Sequence, residues 1–370
     1  MKVAIVCDWL TNVGGAERVV KSLHELFPDA PIYTSQYNPE AIDWFKDADV
    51  RTGWLDHLPR HMHKFFPLLR CIYFSRLNLS EYDLVISSTG AEAKAVKARP
   101  GALNVSYMHA PTQYYWSLYD DYIKNPGFGW LDPLVRLALK LLIKPMRRLD
   151  KKFAGRPDYI ISNSHYIQDE IKKYYGRDST VIFPPVSVEK FSAAPPQKRE
   201  GFVVTSRQVP WKRLDIAVKA CREAREKLVL VGDGSEHDRL VALAENDPLV
   251  TFLPTQGYDG LARALKSAEG YIFPSYEPFG IAPVEALSAG TPLIAYGAGG
   301  ALDYVKDGGN GILFKEQTVD SLVEALKKFR LATFNETIVK NSALPFSDDA
   351  FKQQVSNTLS IWLEQQHEKY

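Results

Sequence analysis

Two carboxylates in one short segment could act together on a polar ligand. Glu277 and Glu285 enclose the sequence EPFGIAPVE. Pro278 and Gly280 disfavour a helix at the first glutamate, so we predict that Glu277 lies in a loop and that Glu285 lies on the helix that follows. The spacing leaves two interpretations open: a catalytic acid with its base, or two separate contacts to one bound molecule.

Two cations, Arg207 and Lys212, form a second candidate group in the sequence SRQVPWKR. They lie between the end of a predicted strand and the beginning of a predicted helix. An arginine offers a planar fork to phosphate oxygens, a lysine offers a mobile charge, and a helix N-terminus adds partial positive charge. The group predicts a diphosphate site, although two solvated surface cations would give the same pattern.

Other candidates follow predicted strands. His109 follows one in SYMHAPTQYYW, where a structural and a functional role remain open. Gly14 and Gly15 in NVGGAERVV form a turn into a helix, and Gly232 lies in VGDG. Glycines at such turns let the backbone approach a phosphate or a sugar closely.

The sequence does not predict a metal or a dinucleotide cofactor. We expect no zinc site at His57, His61 and His63, because no acid or cysteine completes a ligand set with them. No Asp-x-Asp motif of the kind that holds a diphosphate through Mg²⁺ stands at the end of a predicted strand, which favours Arg207 and Lys212 as the charges that replace it. The stretch YGAGGALDYV lacks the G-x-G-x-x-G spacing of an NAD site.

The elements that must position these residues are short apolar runs alternating with helical patterns. We predict strands at 2–7, 31–35, 83–88, 104–109, 159–164 and 179–185, and again at 201–206, 227–232, 250–254, 270–275, 291–296 and 311–314. Continuous apolar strands that alternate with helices are typical of parallel sheets. Six strands in each half predict an α/β protein of two doubly wound, Rossmann-like domains facing each other across a cleft, with ligands at the carboxyl ends of the strands.

Prolines and small residues mark the boundary between the halves. We place the domains at 1–183 and 184–346, with a linker that begins at Pro184 and runs through the AAPP stretch at 193–196. Residues 347–370 show helical spacing at Phe351, Val355 and Leu359, so we expect a C-terminal helix that crosses back to the first domain.

The composition is that of an ordinary soluble protein. The chain has 370 residues, a net charge of +1, 45% hydrophobic and 24% charged residues, and nothing in it points to nucleic acid. Its three scattered cysteines fit a reducing compartment better than a disulfide framework. Without a signal peptide or a long apolar run, we expect a cytoplasmic protein.

Two stretches combine basic and apolar residues. Residues 57–80 contain Arg60, Lys64, Arg70 and Arg76 without an acid, and residues 134–152 contain seven bases with Asp150 as the one acid. Such stretches can bind an anionic membrane surface, which would place the protein peripherally at the inner face of the membrane. Ordinary core residues beside a solvated basic face are the alternative.

Taken together, these motifs resemble the retaining glycosyltransferases of family four, which have the GT-B fold. The resemblance rests on NVGGAERVV, His109, SRQVPWKR, VGDG, EPFGIAPVEA and the paired glycines of GAGGALD, and it extends over essentially the whole chain. It implies transfer of a hexose, with retention, from a nucleotide diphosphate sugar bound in the second domain to a glycan or polyprenyl-linked acceptor bound in the first. No essential metal or cofactor is expected.

The resemblance also implies residue roles. Arg207 and Lys212 would bind the diphosphate, Glu277 would bind the transferred sugar, and Glu285 would bind the ribose hydroxyls. The donor would also be contacted by the backbone of Gly232, Phe279, Gly280 and Ile281. His109 would reach toward the donor sugar, and Gly14 and Gly15 would border the reaction centre. On this basis Glu277 and Glu285 would be two contacts to one donor.

Within the family, the opening segment and VPWKRLD look most like bacterial mannosyltransferases of polysaccharide assembly, which implies GDP-mannose, with UDP-hexoses as the alternative donors. Two positions depart from that pattern: Gln113 stands where an arginine is usual, and Asp303 where a glutamate is more frequent. A nucleotide-sugar epimerase of the same fold and a non-catalytic sugar-nucleotide binding protein are the rival interpretations.

Overall fold

The computed structural model describes residues 1–59, 67–124, 126, 129–193, 195 and 197–368. The described chain forms two compact units. Unit 1 contains residues 1–184 together with the chain from Phe351 onward, and unit 2 contains residues 185–350.

The core of unit 1 is a parallel sheet. Its strands are β1 (Val3–Cys7), β2 (Ile32–Thr34), β3 (Val50–Arg51), β4 (Leu84–Thr89), β5 (Leu103–Met108), β6 (Tyr159–Ser162) and β7 (Thr180–Val181). Their spatial order is β3-β2-β1-β4-β5-β6-β7, so the direction of winding reverses between β1 and β4. β1, β4 and β5 are buried throughout, which is why they appear in the sequence as unbroken apolar or small-residue runs.

Helices cover both faces of this sheet. They are α1 (Gly15–Leu26), α2 (Pro67–Arg76), α3 (Tyr119–Lys124), α4 (Asp132–Ala154) and α5 (His165–Tyr175). α5 shows clear end signals: the Ser164 hydroxyl accepts the Ile167 amide at 3.1 Å, and the helix ends at Gly176 with a φ of 70°.

Unit 2 repeats this architecture. In chain order it contains α6 (Val188–Ser192), β8 (Phe202–Thr205), α7 (Leu214–Glu223), β9 (Leu228–Val231), α8 (His237–Ala244), β10 (Val250–Leu253), α9 (Tyr258–Lys266), β11 (Gly270–Phe273), α10 (Ile281–Ser288), β12 (Leu293–Tyr296), α11 (Ala301–Tyr304), β13 (Gly311–Phe314), α12 (Val319–Leu331) and α13 (Glu336–Asn341). The sheet order is β10-β9-β8-β11-β12-β13, with the reversal between β8 and β11.

The last helix, α14 (Asp348–His367), packs with unit 1 from Phe351 onward. Phe351 contacts Tyr107 of β5 edge-on at 5.8 Å between ring centroids, and Trp362 stacks on Tyr159 of β6 at 4.3 Å. Val355 and Leu359, which share the helical spacing seen in the sequence, are buried in the same core.

The predicted class, two doubly wound parallel-sheet domains, is confirmed, but the strand count of the first was wrong. The unit 1 sheet has seven strands in the described chain, not six. The strand that the sequence analysis missed, β3, is two residues long, lies at the sheet edge and is not buried, so it leaves no apolar run to detect. Among the described helices, none has the length and hydropathy that crossing a bilayer requires.

Candidate functional site

The loops at the winding reversal of unit 2 bring a lysine and a glutamate together. Lys212 ends a short 3₁₀ turn, Pro210–Lys212, in the loop after β8, and Glu277 lies in the loop after β11. Their Nζ and Oε1 atoms are 2.5 Å apart, and 16% and 17% of the two side chains is exposed. Because β8 and β11 are neighbours whose connections leave in opposite directions, their loops border a crevice of the kind that binds ligands in open α/β sheets.

Arg207 lies on the same loop as Lys212 and is exposed, whereas its neighbour Gln208 is fully buried. The Gln208 amide nitrogen donates to the Gly232 carbonyl at 2.5 Å, and its amide oxygen lies 2.8 Å from Nδ1 of His237. These hydrogen bonds hold the Arg207 loop against the loop that follows β9. Sequence reasoning missed it because a glutamine between two candidate cations gives no signal of its own.

The glycines of VGDG are required by the close approach of these two loops. Gly232 has a φ of +131°, and a Cβ there would lie 2.1 Å from the carbonyl oxygen of Ser206. Gly234 has a φ of +159°, and its Cβ would lie 2.3 Å from the carbonyl oxygen of Gln208. Larger residues would push the loops apart, which gives Gly232 a structural role besides its predicted donor contact.

The EPFGIAPVE segment folds as the sequence predicts, with Glu277 in a loop and Glu285 on α10. Gly280 precedes α10 with a φ of +92°, and Ile281 is its first residue. Phe279 is buried, and its carbonyl accepts the Tyr304 hydroxyl at 2.9 Å. Glu285 is 3% exposed, so it presents little surface compared with Glu277.

The paired glycines of GAGGALD support that loop. The Gly300 amide donates to the Glu277 carbonyl at 2.9 Å. A Cβ on Gly300 would lie 2.3 Å from the Cα of Phe279, and one on Gly299 would lie 2.5 Å from the Glu277 carbonyl oxygen. The backbone that positions Glu277 is thus held by a second loop that admits only glycine, a role that the sequence analysis did not assign.

Unit 1 has a corresponding crevice where the winding reverses between the neighbouring strands β1 and β4. Asp8 follows β1, and its carboxylate accepts the backbone amides of Gly90, Ala91 and Ala93 at 2.7–3.0 Å and the Thr89 hydroxyl at 3.0 Å. The sequence analysis did not single out Asp8. Because its carboxylate oxygens bind the loop after β4, Asp8 fixes the conformation of one side of this crevice.

His109 follows β5 and lies beside the same loop. Its Nε2 atom is 2.9 Å from the Ser88 hydroxyl. Burial lowers the pKa of His109 to about 4, against a smaller opposing effect of the Asp8 carboxylate. The imidazole is therefore neutral at physiological pH and can donate or accept a hydrogen bond without carrying a charge.

A cavity of about 470 Å³ adjoins His109. Most of its wall is apolar or aromatic and includes Trp9, Val20, Tyr115, Val135 and Leu139; Gln113 and Glu17 also line it.

The glycine turn NVGGAERVV leads into α1 next to this cavity. Gly14 precedes α1, and Gly15 is its first residue. A Cβ on Gly14 would lie 2.8 Å from Oε2 of Glu17, so the absence of a side chain there leaves room for that carboxylate.

The two described arginines of the first basic stretch, 57–80, differ in burial: Arg76 is exposed, whereas Arg70 is not. Arg70 is 4% exposed and its Nε atom donates to Glu92 at 2.6 Å, while Tyr73 and Phe74 belong to the core. Arg70 is therefore not among the bases that this stretch could present to a membrane, because its acidic partner Glu92 lies outside the stretch and pairs with it. Residues 60–66, which include Arg60, Lys64, His61 and His63, lie outside the described chain.

The second basic stretch, 134–152, lies on α4 and is largely exposed. Leu134, Leu137 and Leu141 are 64%, 55% and 69% exposed. Asp150 faces inward, where it pairs with the buried Lys94 at 2.8 Å. The acid of this stretch is therefore removed from the surface that the leucines share with the bases.

The described residues contain no group of three or more His, Cys, Asp or Glu side chains placed to hold a metal ion. Arg207 and Lys212 are cations at the unit 2 crevice that an anionic ligand could contact.

Comparison with known proteins relates both units to glycosyltransferases. Residues 13–190 match the family model described as Glycosyltransferase Family 4, and residues 185–333 match Glycosyl transferases group 1. A D-inositol 3-phosphate glycosyltransferase of Mycobacterium sp. (strain KMS) is 29% identical over an alignment of 273 positions, and the match covers 60% of this chain and 62% of that relative. The match thus spans less than two thirds of the relative's length.

Solved structures confirm the predicted GT-B architecture. Anabaena HepE in complex with UDP is 19% identical with a TM-score of 0.67, covering 97% of this chain and 100% of that one. The lipopolysaccharide outer core galactosyltransferase WaaB is 18% identical with a TM-score of 0.70, covering 97% and 99%. At these identities the likeness establishes the fold.

We expect the neutral state of His109 to make unit 1 acid-sensitive. The unfolded chain binds a proton on this histidine near pH 6.5 and the folded chain near pH 4, so stability that is present above pH 6.5 is lost as the pH falls through this window. At pH 4.5 the loss is on the order of 2–3 kcal/mol, less any relief from solvent in the cavity. His109→Gln should remove this part of the pH dependence in urea unfolding between pH 7.5 and 4.5.

The exposed His165, in the same unit, provides the control for this measurement. His165→Gln should keep the pH dependence of the natural chain. An equal pH dependence in both variants would show that His109 is not held neutral by the fold.

Proposed function

We propose that this chain, which combines a Glycosyltransferase Family 4 domain with a Glycosyl transferases group 1 domain on the GT-B fold, transfers a hexose from a nucleotide diphosphate sugar to an acceptor. The observation that carries the proposal is the Lys212–Glu277 pair at the winding reversal of unit 2, with Arg207 exposed on the same loop. A cation and a carboxylate at adjacent positions match the two halves of such a donor, an anionic diphosphate and a hydroxyl-bearing sugar.

In this proposal the pair is a prearranged receptor for the donor. Lys212 and Arg207 contact the diphosphate, and Glu277 accepts hydrogen bonds from sugar hydroxyls. The positive φ of Gly280 turns the chain into α10, so that the amides of Gly280 and Ile281 lie at the helix N-terminus, directly after the amide of Phe279. Glu285, on the buried side of α10, is assigned to the ribose.

The chemical step depends on stabilising the leaving diphosphate. The bond from the anomeric carbon to the diphosphate oxygen breaks and a bond to the acceptor oxygen forms, with the acceptor proton passing to the departing phosphate. Lys212 and Arg207 stabilise the charge that develops on that phosphate, so that no metal is needed. Glu277, held against Lys212, is a weak nucleophile, which supports retention by same-face displacement over a covalent sugar–enzyme intermediate.

The proposed donor is GDP-mannose, and the support for it is the resemblance of VPWKRLD to bacterial mannosyltransferases. UDP-hexoses are the second candidate, because solved structures of the HepE neighbour contain UDP and UDP-glucose. The predicted role of His109 toward the donor sugar remains a prediction.

A thermal-shift panel identifies the base. GDP, UDP, ADP and their hexose conjugates are compared at concentrations far above their dissociation constants, where a ligand at 100 times its Kd stabilises the folded state by about 2.7 kcal/mol. We expect GDP and GDP-mannose to raise the melting temperature most, and Arg207→Ala to reduce that shift. A larger shift with UDP would replace the proposed donor, and no shift with any nucleotide would contradict the function.

Removing either cation should lower turnover of the donor. We expect Arg207→Ala and Lys212→Ala each to reduce kcat by roughly 10²–10³-fold, the size typical of losing one preorganised contact to developing charge. Lys219→Ala, at an exposed position on α7, is the matched control and should be close to the natural enzyme.

A double variant separates chemistry from loop structure. The double variant Lys212→Ala/Glu277→Gln is compared with Glu277→Gln alone. If Lys212 only holds Glu277 in place, the two variants should turn over the donor at the same rate, whereas a Lys212 that binds the diphosphate should make the double variant slower than Glu277→Gln. Equal rates would overturn the diphosphate assignment.

A peripheral membrane position is part of the proposal, and α4 supports it. Lys140, Lys144, Arg148 and Lys151 are exposed and recur at helical spacing beside the exposed Leu134–Leu137–Leu141 ridge. A leucine ridge next to a basic ridge fits the acyl boundary and the anionic headgroups of a bilayer surface. An acceptor carried on a polyprenyl or other lipid would be met at that surface.

Vesicle sedimentation tests this surface. We expect binding to phosphatidylglycerol-containing vesicles at low salt and little binding to pure phosphatidylcholine. Each neutralised base should weaken binding about fivefold, so Lys140→Gln/Lys144→Gln/Arg148→Gln should weaken it by roughly 100-fold. Leu331→Gln, at an 89% exposed leucine of unit 2, should have no effect. Absence of binding to anionic vesicles at low salt would remove the membrane from the proposal.

A further inference from the structure

The cavity beside His109 has a largely apolar wall, whereas a site that binds a sugar ring needs many hydrogen-bonding groups. At about 470 Å³ it falls in the range of pockets that enclose a small organic ligand. Trp9, Val20, Tyr115 and Leu139 contribute apolar and aromatic surface to it. Such a wall stabilises an apolar ligand by removing both surfaces from water.

Several polar groups of the cavity are already engaged within the protein. The Asp8 carboxylate accepts hydrogen bonds from the loop after β4, and Ser88 is bonded to His109. Arg70 donates to Glu92, and its guanidinium lies 5.1 Å from the centroid of the Trp9 ring. The Tyr115 hydroxyl is buried without a hydrogen-bond partner among the described residues, but the rest of the wall is largely apolar. A sugar ring placed deep in this cavity would therefore give up more hydrogen bonds to water than the wall can replace, which is unfavourable.

The helix α4 separates this cavity from the exposed leucine ridge. Val135 and Leu139 line the cavity, whereas Leu137 and Leu141 are 55% and 69% exposed. Positions 135 and 139 are one helical turn apart on one side of the helix, and 137 and 141 are one turn apart on another. One helix thus presents apolar surface both to the interior cavity and to solvent.

We propose that this cavity binds an apolar group of the acceptor, an alkyl or prenyl chain, with the acceptor hydroxyl end toward His109. The identity of this ligand as an acceptor rests on the function proposed above, whereas the binding of an alkyl chain by the cavity does not depend on that function. The inference favours an amphiphilic acceptor over a free glycan. Gln113 also lines the cavity, and its amide could contact the headgroup end of such a molecule.

A homologous series of n-alkyl β-glucosides, from hexyl to nonyl and each below its micelle concentration, probes the cavity by calorimetry. We expect the dissociation constant to fall about fourfold for each added methylene, with a negative heat-capacity change. Affinity that does not change with chain length would overturn the inference.

Two substitutions on α4 form a matched pair for this measurement. Leu139→Gln, inside the cavity, should weaken nonyl glucoside binding about tenfold or more, as expected for replacing buried apolar surface with an amide. Leu137→Gln, on the exposed ridge, should leave it unchanged. Equal losses in both variants would place the alkyl chain on the outer surface of α4 and contradict the cavity assignment.

A third variant addresses instability of Leu139→Gln. Leu139→Trp keeps the position apolar and fills the cavity, so it should lower the affinity for nonyl glucoside while the far-UV circular dichroism and melting temperature stay close to those of the natural chain. Undiminished binding in a folded Leu139→Trp variant would also overturn the proposal.

The outcome is independent of the donor site in unit 2. Binding of GDP or UDP without chain-length-dependent alkyl binding would reject the apolar acceptor and leave the glycosyltransferase proposal standing. Alkyl binding without any nucleotide binding would reject the transferase proposal and leave an apolar ligand site.

Discussion

The reversal of winding within each parallel sheet is the constraint on which both candidate sites depend. Parallel strands bring all their carboxyl ends to one edge of the sheet, and the loops of neighbouring strands part only where the winding reverses. In unit 2 this happens between β8 and β11, where Lys212 and Glu277 meet, and in unit 1 between β1 and β4, where Asp8 holds the loop that follows β4. The chemistry-bearing side chains of each unit follow from this geometry.

Holding those loops in place requires backbone contacts that only glycine permits. Gly232 and Gly234 let two loops of unit 2 come within carbonyl contact, and Gly300 does the same beneath the Phe279 backbone. Buried Gln208 adds the side-chain hydrogen bonds that join two of these loops. The glycines that belong to family motifs therefore allow the loops to pack closely. Their own proposed contribution to donor binding is through the backbone.

In unit 1, hydrogen bonds within the protein leave few polar groups of the cavity wall free for a ligand. Asp8, Arg70 and Ser88 could each bind a polyhydroxyl ligand if they were unengaged, but each is bonded within the unit. The neutral His109 and Gln113 then lie beside a largely apolar wall. Because these polar groups bond within the protein while the apolar surface stays open to a ligand, this cavity is the basis on which we propose an amphiphilic acceptor.

The sequence by itself determined the parallel α/β class, nearly all of the strands, the loop position of Glu277 and the helical position of Glu285. These follow from local signals: apolar runs that are buried whole, and prolines and glycines that exclude a helix. Edge strand β3 was missed because two half-exposed residues carry no periodic pattern.

Only the tertiary structure decided which polar groups are already partnered. Arg70 looked like a surface base because its partner Glu92 is distant in sequence, and Asp8 and Gln208 drew no attention because their partners lie on other loops. The sequence likewise could not show that Lys212 and Glu277, read as separate contacts to a ligand, bond to each other. Charge pairing and burial depend on distances between segments far apart in the chain, and those distances are set by the packing of the sheet rather than by any local pattern.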